Sequence, residues 1–255
     1  MKYSNMLHDI ESEQFHRQNV LDAFQKANPN YNIGSFNRHF SKLVTLGYVE
    51  NVGRDLYIAV NPNNAKPIYI HNNPSEELLD VESFIATEMP LADFLVWELV
   101  QLNEFINHQI AQNMIIVMVE HMLVDAVFER LKDKYKSVIL TPKPEELQRY
   151  GGRGSVIVER LSSRYPRNHK QQHGYAVEKL IVDLFAEKTV KAVLNVGDYP
   201  DALETIFKHY RVNETKLFNY AKARYVYSEI RMMIKNKTAI ELYTDKENKR
   251  NAEKK

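Results

Sequence analysis

His169 and His173 stand four residues apart, a spacing that would put two imidazoles on one helical face for a metal ion. The stretch between them, Lys170-Gln171-Gln172, has neither the glutamate of a zincin helix nor helical periodicity. They read as surface residues, and no metal site is assigned. Gly151-Gly152-Arg153-Gly154 has the look of a phosphate-cradling loop. It lacks the Lys-Ser/Thr that would follow and leads into an extended run, so it reads as a turn. Asp93, Glu98 and Glu120 end short apolar runs, and Glu178-Lys179 lies in a helical one, the residue types that a magnesium-dependent nuclease gathers. Nothing in their spacing brings them together, and Lys179 with Asp183 reads as an i, i+4 ion pair on a helix surface. The chain has no cysteine, which removes disulfides, thiolate zinc sites and cysteine nucleophiles. No Gly-x-Ser-x-Gly elbow occurs, which disfavours an α/β hydrolase. No catalytic residue and no cofactor are expected.

A different chemistry is written in the first 66 residues. Phe15, Val20, Leu21 and Phe24 fall near helical spacing, and that helix must stop near Asn28-Pro29-Asn30, because the residue before proline leaves the α region. A second helix starts with Ser35 as N-cap, carries Phe36, Phe40, Leu43 and Val44 as its apolar stripe, and ends at Gly47. Two extended pieces follow, 48–51 and 56–60, joined by a turn in which Gly53 supplies positive φ. This order predicts a winged helix-turn-helix over residues 1–66. With the stripe turned inward, the second helix presents Ser35, Asn37, Arg38, Ser41, Lys42 and Thr45, and Arg54 tips the wing. Arginine reads guanine, asparagine reads adenine, and the hydroxyls and lysine suit phosphate, so double-stranded DNA is the expected partner.

Residues 61–67 are turn-forming and form a linker. Beyond it, 68–70 reads as a strand and 74–88 as an acidic helix with Leu78, Val81 and Ile85 inward. Apolar runs at 94–97, 114–119, 138–140 and 156–158 alternate with helical stretches, which predicts a mixed, mostly parallel sheet covered by helices on both faces. The last third is helical: Val177, Leu180, Ile181, Leu184 and Phe185 form a stripe, 202–210 forms another helix, and Asn213 caps one through Leu217, Tyr220 and Ala221. The fold class is therefore α/β (α+β), with a winged helix at 1–66, an α/β domain at 67–235 and a loose charged tail at 236–255. Charge is uneven along the chain. Residues 67–140 carry a net of −8, whereas residues 141–173 hold seven basic groups against three acidic ones. Arg149, Arg153, Arg160, Arg164, Arg167 and Lys170 in that stretch suit nucleic acid or an acidic partner face. The longest apolar run, 114–119, is far short of the ~20 residues a membrane helix needs, and the start has no secretory stretch, so a cytoplasmic protein is expected.

FNRHFSKLVTLGYVENVGRDLYIAV resembles the winged helix of AbiEi-type antitoxins, the regulatory halves of type IV toxin-antitoxin systems of abortive phage infection. VEKLIVDLFAE and YRVNETKLFNYAKAR are similar to two later helices of that family, so the resemblance spans most of residues 33–224. It implies a transcriptional autorepressor that binds operator DNA upstream of its own operon and an antitoxin that antagonises a nucleotidyltransferase toxin, without need of a stable complex. It also marks Glu178, Lys179, Asp183, Asn213, Glu214, Tyr220 and Arg224 as positions matching the family pattern, with a structural or a neutralising role. A winged-helix-guided metal-dependent nuclease and a non-catalytic interaction scaffold are the alternatives.

Overall fold

The structure is a computed structural model in which residues 7, 14–61, 66–67, 70, 74–166 and 176–253 are described. Contacts divide the chain into two units. Met1–Pro67, Arg211–Lys216 and Glu241–Lys255 form the first, and Ile68–Tyr210 with Leu217–Ile240 form the second.

The first unit begins with strand β1 (Gln14–Phe15) and helix α1 (Arg17–Ala27), which ends where Asn28, held extended ahead of Pro29, closes the last turn onto Phe24. A 3-10 turn, Ile33–Ser35, runs into helix α2 (Phe36–Thr45). The helical start is capped by Asn32, whose Oδ1 accepts from the Gly34 N–H; Ser35, expected as the cap, is already helical and its side chain makes no cap bond. Phe36, Phe40 and Leu43 pack against Val20, Phe24 and Val49. Val44, expected in that stripe, is exposed, because the three buried positions already fill the inward face. Gly47, at φ 76°, ends the helix: its N–H bonds to Val44 O, and Tyr48 N–H bonds to Leu43 O. Strands β2 (Val49–Gly53) and β3 (Leu56–Ala59) then form a hairpin, and the sheet order is β1-β3-β2, all antiparallel. The positive φ falls on Asp55, at 51°, and not on Gly53, which still pairs with Leu56 and leaves Arg54-Asp55 as the turn.

The second unit opens with helix α3 (Glu76–Glu88), capped by Ser75, whose Oγ accepts from the Leu78 N–H. Strands β4 (Phe94–Glu98) and β5 (Met114–Val119), helix α4 (Val124–Lys134), strand β6 (Val138–Leu140), helix α5 (Pro144–Tyr150) and strand β7 (Ser155–Arg160) follow. The sheet order is β4-β5-β7-β6, with β5, β7 and β6 parallel and β4 antiparallel to β5. Leu78, Val81 and Ile85 of α3 and Val127 and Leu131 of α4 cover one face, against Val96, Ile115, Val117, Val156 and Val158. Side chains alternate along a strand, so Met118 and its register partner Glu159 face the other way. Helices α6 (Val177–Ala186), α7 (Lys188–Val193), α8 (Tyr199–His209), α9 (Glu214–Ala223) and α10 (Tyr227–Lys237) complete the helical third, and α9 begins in the first unit. The protein is thus mixed α/β with two sheets. Most of the strand expected at 68–70 and the middle of the 61–67 linker lie outside the described residues.

Most of the described part of the loose tail expected at 236–255 is instead helical. Lys237 ends α10, and Tyr243–Glu253 forms helix α11 in the first unit. Leu242 is buried, and the carboxylate of Glu214 accepts from Tyr243 N–H at 2.7 Å and Thr244 N–H at 2.8 Å, which satisfies donors that a helix start leaves open. The polar composition of α11 hid it, because no apolar period marks it.

Candidate functional site

Asn37, Arg38, Ser41, Lys42 and Thr45 are all exposed on α2, Ser35 is half-buried, and Arg54 is exposed at the hairpin turn. Arg17 of α1 stacks over the Phe36 and Phe40 rings, 5.3 and 5.0 Å from their centroids, and its Nη2 donates to Asn37 Oδ1. The turn itself is held from behind. Arg54 N–H donates to Thr215 Oγ1 at 2.8 Å, Asn51 Nδ2 donates to Gly53 O at 2.8 Å, and the Asp55 carbonyl lies 2.8 Å from His16 Nδ1. Anchoring the backbone this way leaves the Arg54 side chain free to face solvent.

The second of the two later helix motifs is divided between the units. Asn213 and Glu214 belong to the first unit. Asn213 Oδ1 caps α9 by accepting from Lys216 N–H at 3.0 Å while its Nδ2 bonds Asn51, and Glu214 caps α11 as described. Both sets of contacts lie within the first unit. The sequence had not flagged Glu50 and Arg211, which pair at 2.5 Å, with Glu50 buried in β2.

Glu178, Lys179, Asp183 and Tyr220 are buried in the second unit, and Arg224 is nearly so. The Lys179–Asp183 pair is therefore no surface feature: both side chains are fully enclosed, with Lys179 Nζ bonded to Asp183 and 3.1 Å from Met118 Sδ. Arg224 reaches in from the end of α9. Its Nη1 lies 3.0 Å from the Tyr220 hydroxyl and 3.5 Å from Asp183 Oδ1, and its Nη2 donates to Glu187 at 2.7 Å. Glu159, on the underlying strand β7, accepts from Thr189 Oγ1, while its Oε2 is buried with no hydrogen-bond partner. Burial, then the nearby Glu187 charge, push the Glu159 carboxyl up to about 7. Burial and Asp183 raise Glu187 as well, against the pull of Arg224. Burial works against the Arg224 charge, yet Glu187, Tyr220 and Asp183 together raise its pKa, and burial with Asp183 raises that of Tyr220. Glu159 and Thr189 lie outside the motifs, and Glu187, the last residue of VEKLIVDLFAE, is not singled out by its spacing. One signal was available: α6, VEKLIVDLFA, is apolar on nearly every side, and a helix of that kind is buried all round.

The remaining candidates are scattered. Arg149 and Arg153 are exposed before β7, while Arg160 and Arg164 are exposed at and beyond its far end, about 20 Å along an extended strand. They form no single patch. Arg167, Lys170, His169 and His173 lie outside the described residues. Gly152–Ser155 closes a turn, with Gly154 at φ 79°. Glu98 accepts from Ser75 N–H and Oγ and from Asn113 at one end of β4, whereas Asp93 and Glu120 meet at the other end, where Tyr165 OH donates to Asp93 at 3.0 Å. Among the described residues, no three His, Asp or Glu side chains converge as a metal site, and no helix is long and apolar enough to cross a membrane.

Fold and sites together define a two-unit α/β protein with a polar, outward-facing helix beside a β-hairpin in one unit and a buried ionic cluster in the other. The chain belongs to DUF6577, a family of unknown function, whose model matches residues 35–240. No curated protein and no solved structure matches it.

Proposed function

We propose that the protein is a DNA-binding transcriptional autorepressor that also acts as an antitoxin of the AbiEi type against a nucleotidyltransferase toxin. The observation that supports the DNA-binding half of this reading is the partition of α2: Phe36, Phe40 and Leu43 inward, Asn37, Arg38, Ser41, Lys42 and Thr45 outward, beside a two-residue hairpin turn that exposes Arg54; the antitoxin half rests on the resemblance of the two later helices. In the winged-helix reading, α2 enters the major groove, Arg38 and Asn37 meet base edges, Lys42 and Ser41 meet phosphate, and Arg54 follows the backbone or minor groove.

Fluorescence anisotropy of the full chain against the DNA upstream of its own gene tests this at two salt concentrations. Tight binding is expected, weakening with salt by a log–log slope of about −0.9 for each phosphate contact. Arg38→Ala is expected to weaken it by about 1 to 3 kcal/mol and to relax base preference at one position. Unchanged affinity in that variant would remove α2 as the reading helix.

For the antitoxin half, the enclosure of Lys179, Asp183 and Tyr220 favours a structural role for those positions, which leaves exposed arginines such as Arg160 and Arg164 as contact candidates. Co-expression with a neighbouring toxin gene is expected to relieve growth arrest; failure to do so counts against this half alone. A second reading, a protein-binding module, draws on Ile33, Val44 and Leu46, exposed apolar residues flanking or on α2. Salt-insensitive binding to a protein, with none to DNA, would favour it.

A further inference from the structure

We propose that His16 is a proton-operated latch that fastens helix α11 to the β2–β3 turn, closed when the imidazole carries two protons and open when it carries one. His16 stands between β1 and α1. Its Nδ1 lies 2.8 Å from the backbone carbonyl oxygen of Asp55 in the turn, and its Nε2 lies 3.1 Å from Oε1 of Glu247 in α11. A carbonyl oxygen cannot donate, nor can an ionised carboxylate, so both ring nitrogens face acceptors. Only the imidazolium supplies two N–H groups. A neutral ring keeps one of these bonds and sets a lone pair against the other oxygen.

The surroundings favour the cation. Among the described residues, the charged groups facing the ring are Asp55, with Oδ2 3.8 Å from Nδ1, and Glu247, both acidic. Gln14 Nε2 donates to the second oxygen of Glu247 at 3.0 Å, which fixes that carboxylate against the ring. The adjacent Arg17 is turned away, onto Asn37 and the Phe36 and Phe40 rings. The hydrogen bond to the Asp55 carbonyl is the largest influence; with Glu247 it lifts the His16 pKa above the ordinary 6.5 despite partial burial. A histidine raised in this way has its full latch below 6.5 and loses it as pH rises through the raised value. Glu214 holds the first turn of α11 independently, so the latch governs how the second turn sits against the hairpin. Its consequence for DNA rests on the regulator reading, since the turn that it clasps carries Arg54.

The test uses the full-length protein, with the His16 ring signal assigned by its absence in His16→Gln. In an NMR titration, wild-type His16 is expected to titrate above 6.5 and to fall back toward that value in Glu247→Gln. Amide exchange over Tyr243–Glu253, corrected for intrinsic rate, is expected to quicken several-fold as pH rises through the His16 transition, and to be fast at every pH in His16→Gln. The proposal is overturned if His16 titrates at or below 6.5, if Glu247→Gln leaves it unmoved, or if α11 protection is independent of pH. Both substitutions fall at partly exposed side chains, and a dispersed amide spectrum confirms that the variants are folded. DNA binding at pH 6 and pH 8 is read separately. Its absence at both counts against the regulator, while the ring titration and exchange, which need no DNA, still decide the latch.

Discussion

Glu159 is a buried carboxyl on β7 beside the ionic cluster. Its carboxyl sits in the interior near Glu187 and Asp183, with one oxygen unpartnered, and is held up to about 7 by burial first and Glu187 second. Because the folded state holds this proton more tightly than the unfolded chain, the contribution of Glu159 to stability is greatest below about 4.5 and is lost as pH rises through about 7. Each tenfold difference in proton affinity between the folded and unfolded chain is worth about 1.4 kcal/mol, which makes the loss on the order of 3 kcal/mol. Glu159→Gln keeps an acceptor for Thr189 and removes the charge. Urea denaturation is expected to show this variant more stable than wild type at pH 8, by on the order of 1 to 3 kcal/mol, and to converge with it near pH 5. A wild-type stability that did not fall across that range would mean that Glu159 is charged and paired. The sequence could not reveal this cluster from spacing. Lys179 and Asp183 are four apart whether their helix side faces water or a sheet, and only the apolar residues flanking them on every side told the two cases apart.

Two helices end in the same way with different residues at the critical place. After α2, Gly47 takes the left-handed conformation with the bond pair to Val44 and Leu43; after α9, Tyr225 takes it at φ 60°, with bonds to Lys222 and from Val226 to Ala221. A side chain there costs about 1 kcal/mol, and the Tyr225 ring is 96% exposed and recovers little by packing. Gly47→Ala is therefore expected to lower stability by about 1 kcal/mol, and Tyr225→Gly to raise it by up to that amount, both read from thermal unfolding midpoints. A loss of stability in Tyr225→Gly would show that the ring makes contacts of its own. At this scale the sequence was most legible where apolar period and stop signal agreed. Leu78, Val81 and Ile85 placed α3, Gly47 ended α2, and the apolar runs placed β4, β5, β6 and β7. It was least legible where polar side chains do the fixing. Asn32 displaced Ser35 as the cap, Asp55 displaced Gly53 at the turn, and Glu214 organised a helix that the local sequence of α11 does not announce.

For the whole molecule, the decisive fact is that the first unit is gathered from three stretches of chain. Glu50 is buried in β2 and paired with Arg211, and Glu214 and Glu247 belong to the same unit although they lie far along the sequence. Residues 1–67 expressed alone would bury Glu50 without its guanidinium, a loss of about 3 to 5 kcal/mol for a buried pair broken on one side. A unit of that size has a margin of similar magnitude. The isolated fragment is expected to show no cooperative thermal transition by circular dichroism, and a sharp one would mean that Glu50 is accommodated by other means. The same arrangement sets a timetable during translation. The hairpin and α2 leave the ribosome before the sheet of the second unit, but Arg211 and then Glu247 emerge only after it, so a unit begun earlier in translation is finished later.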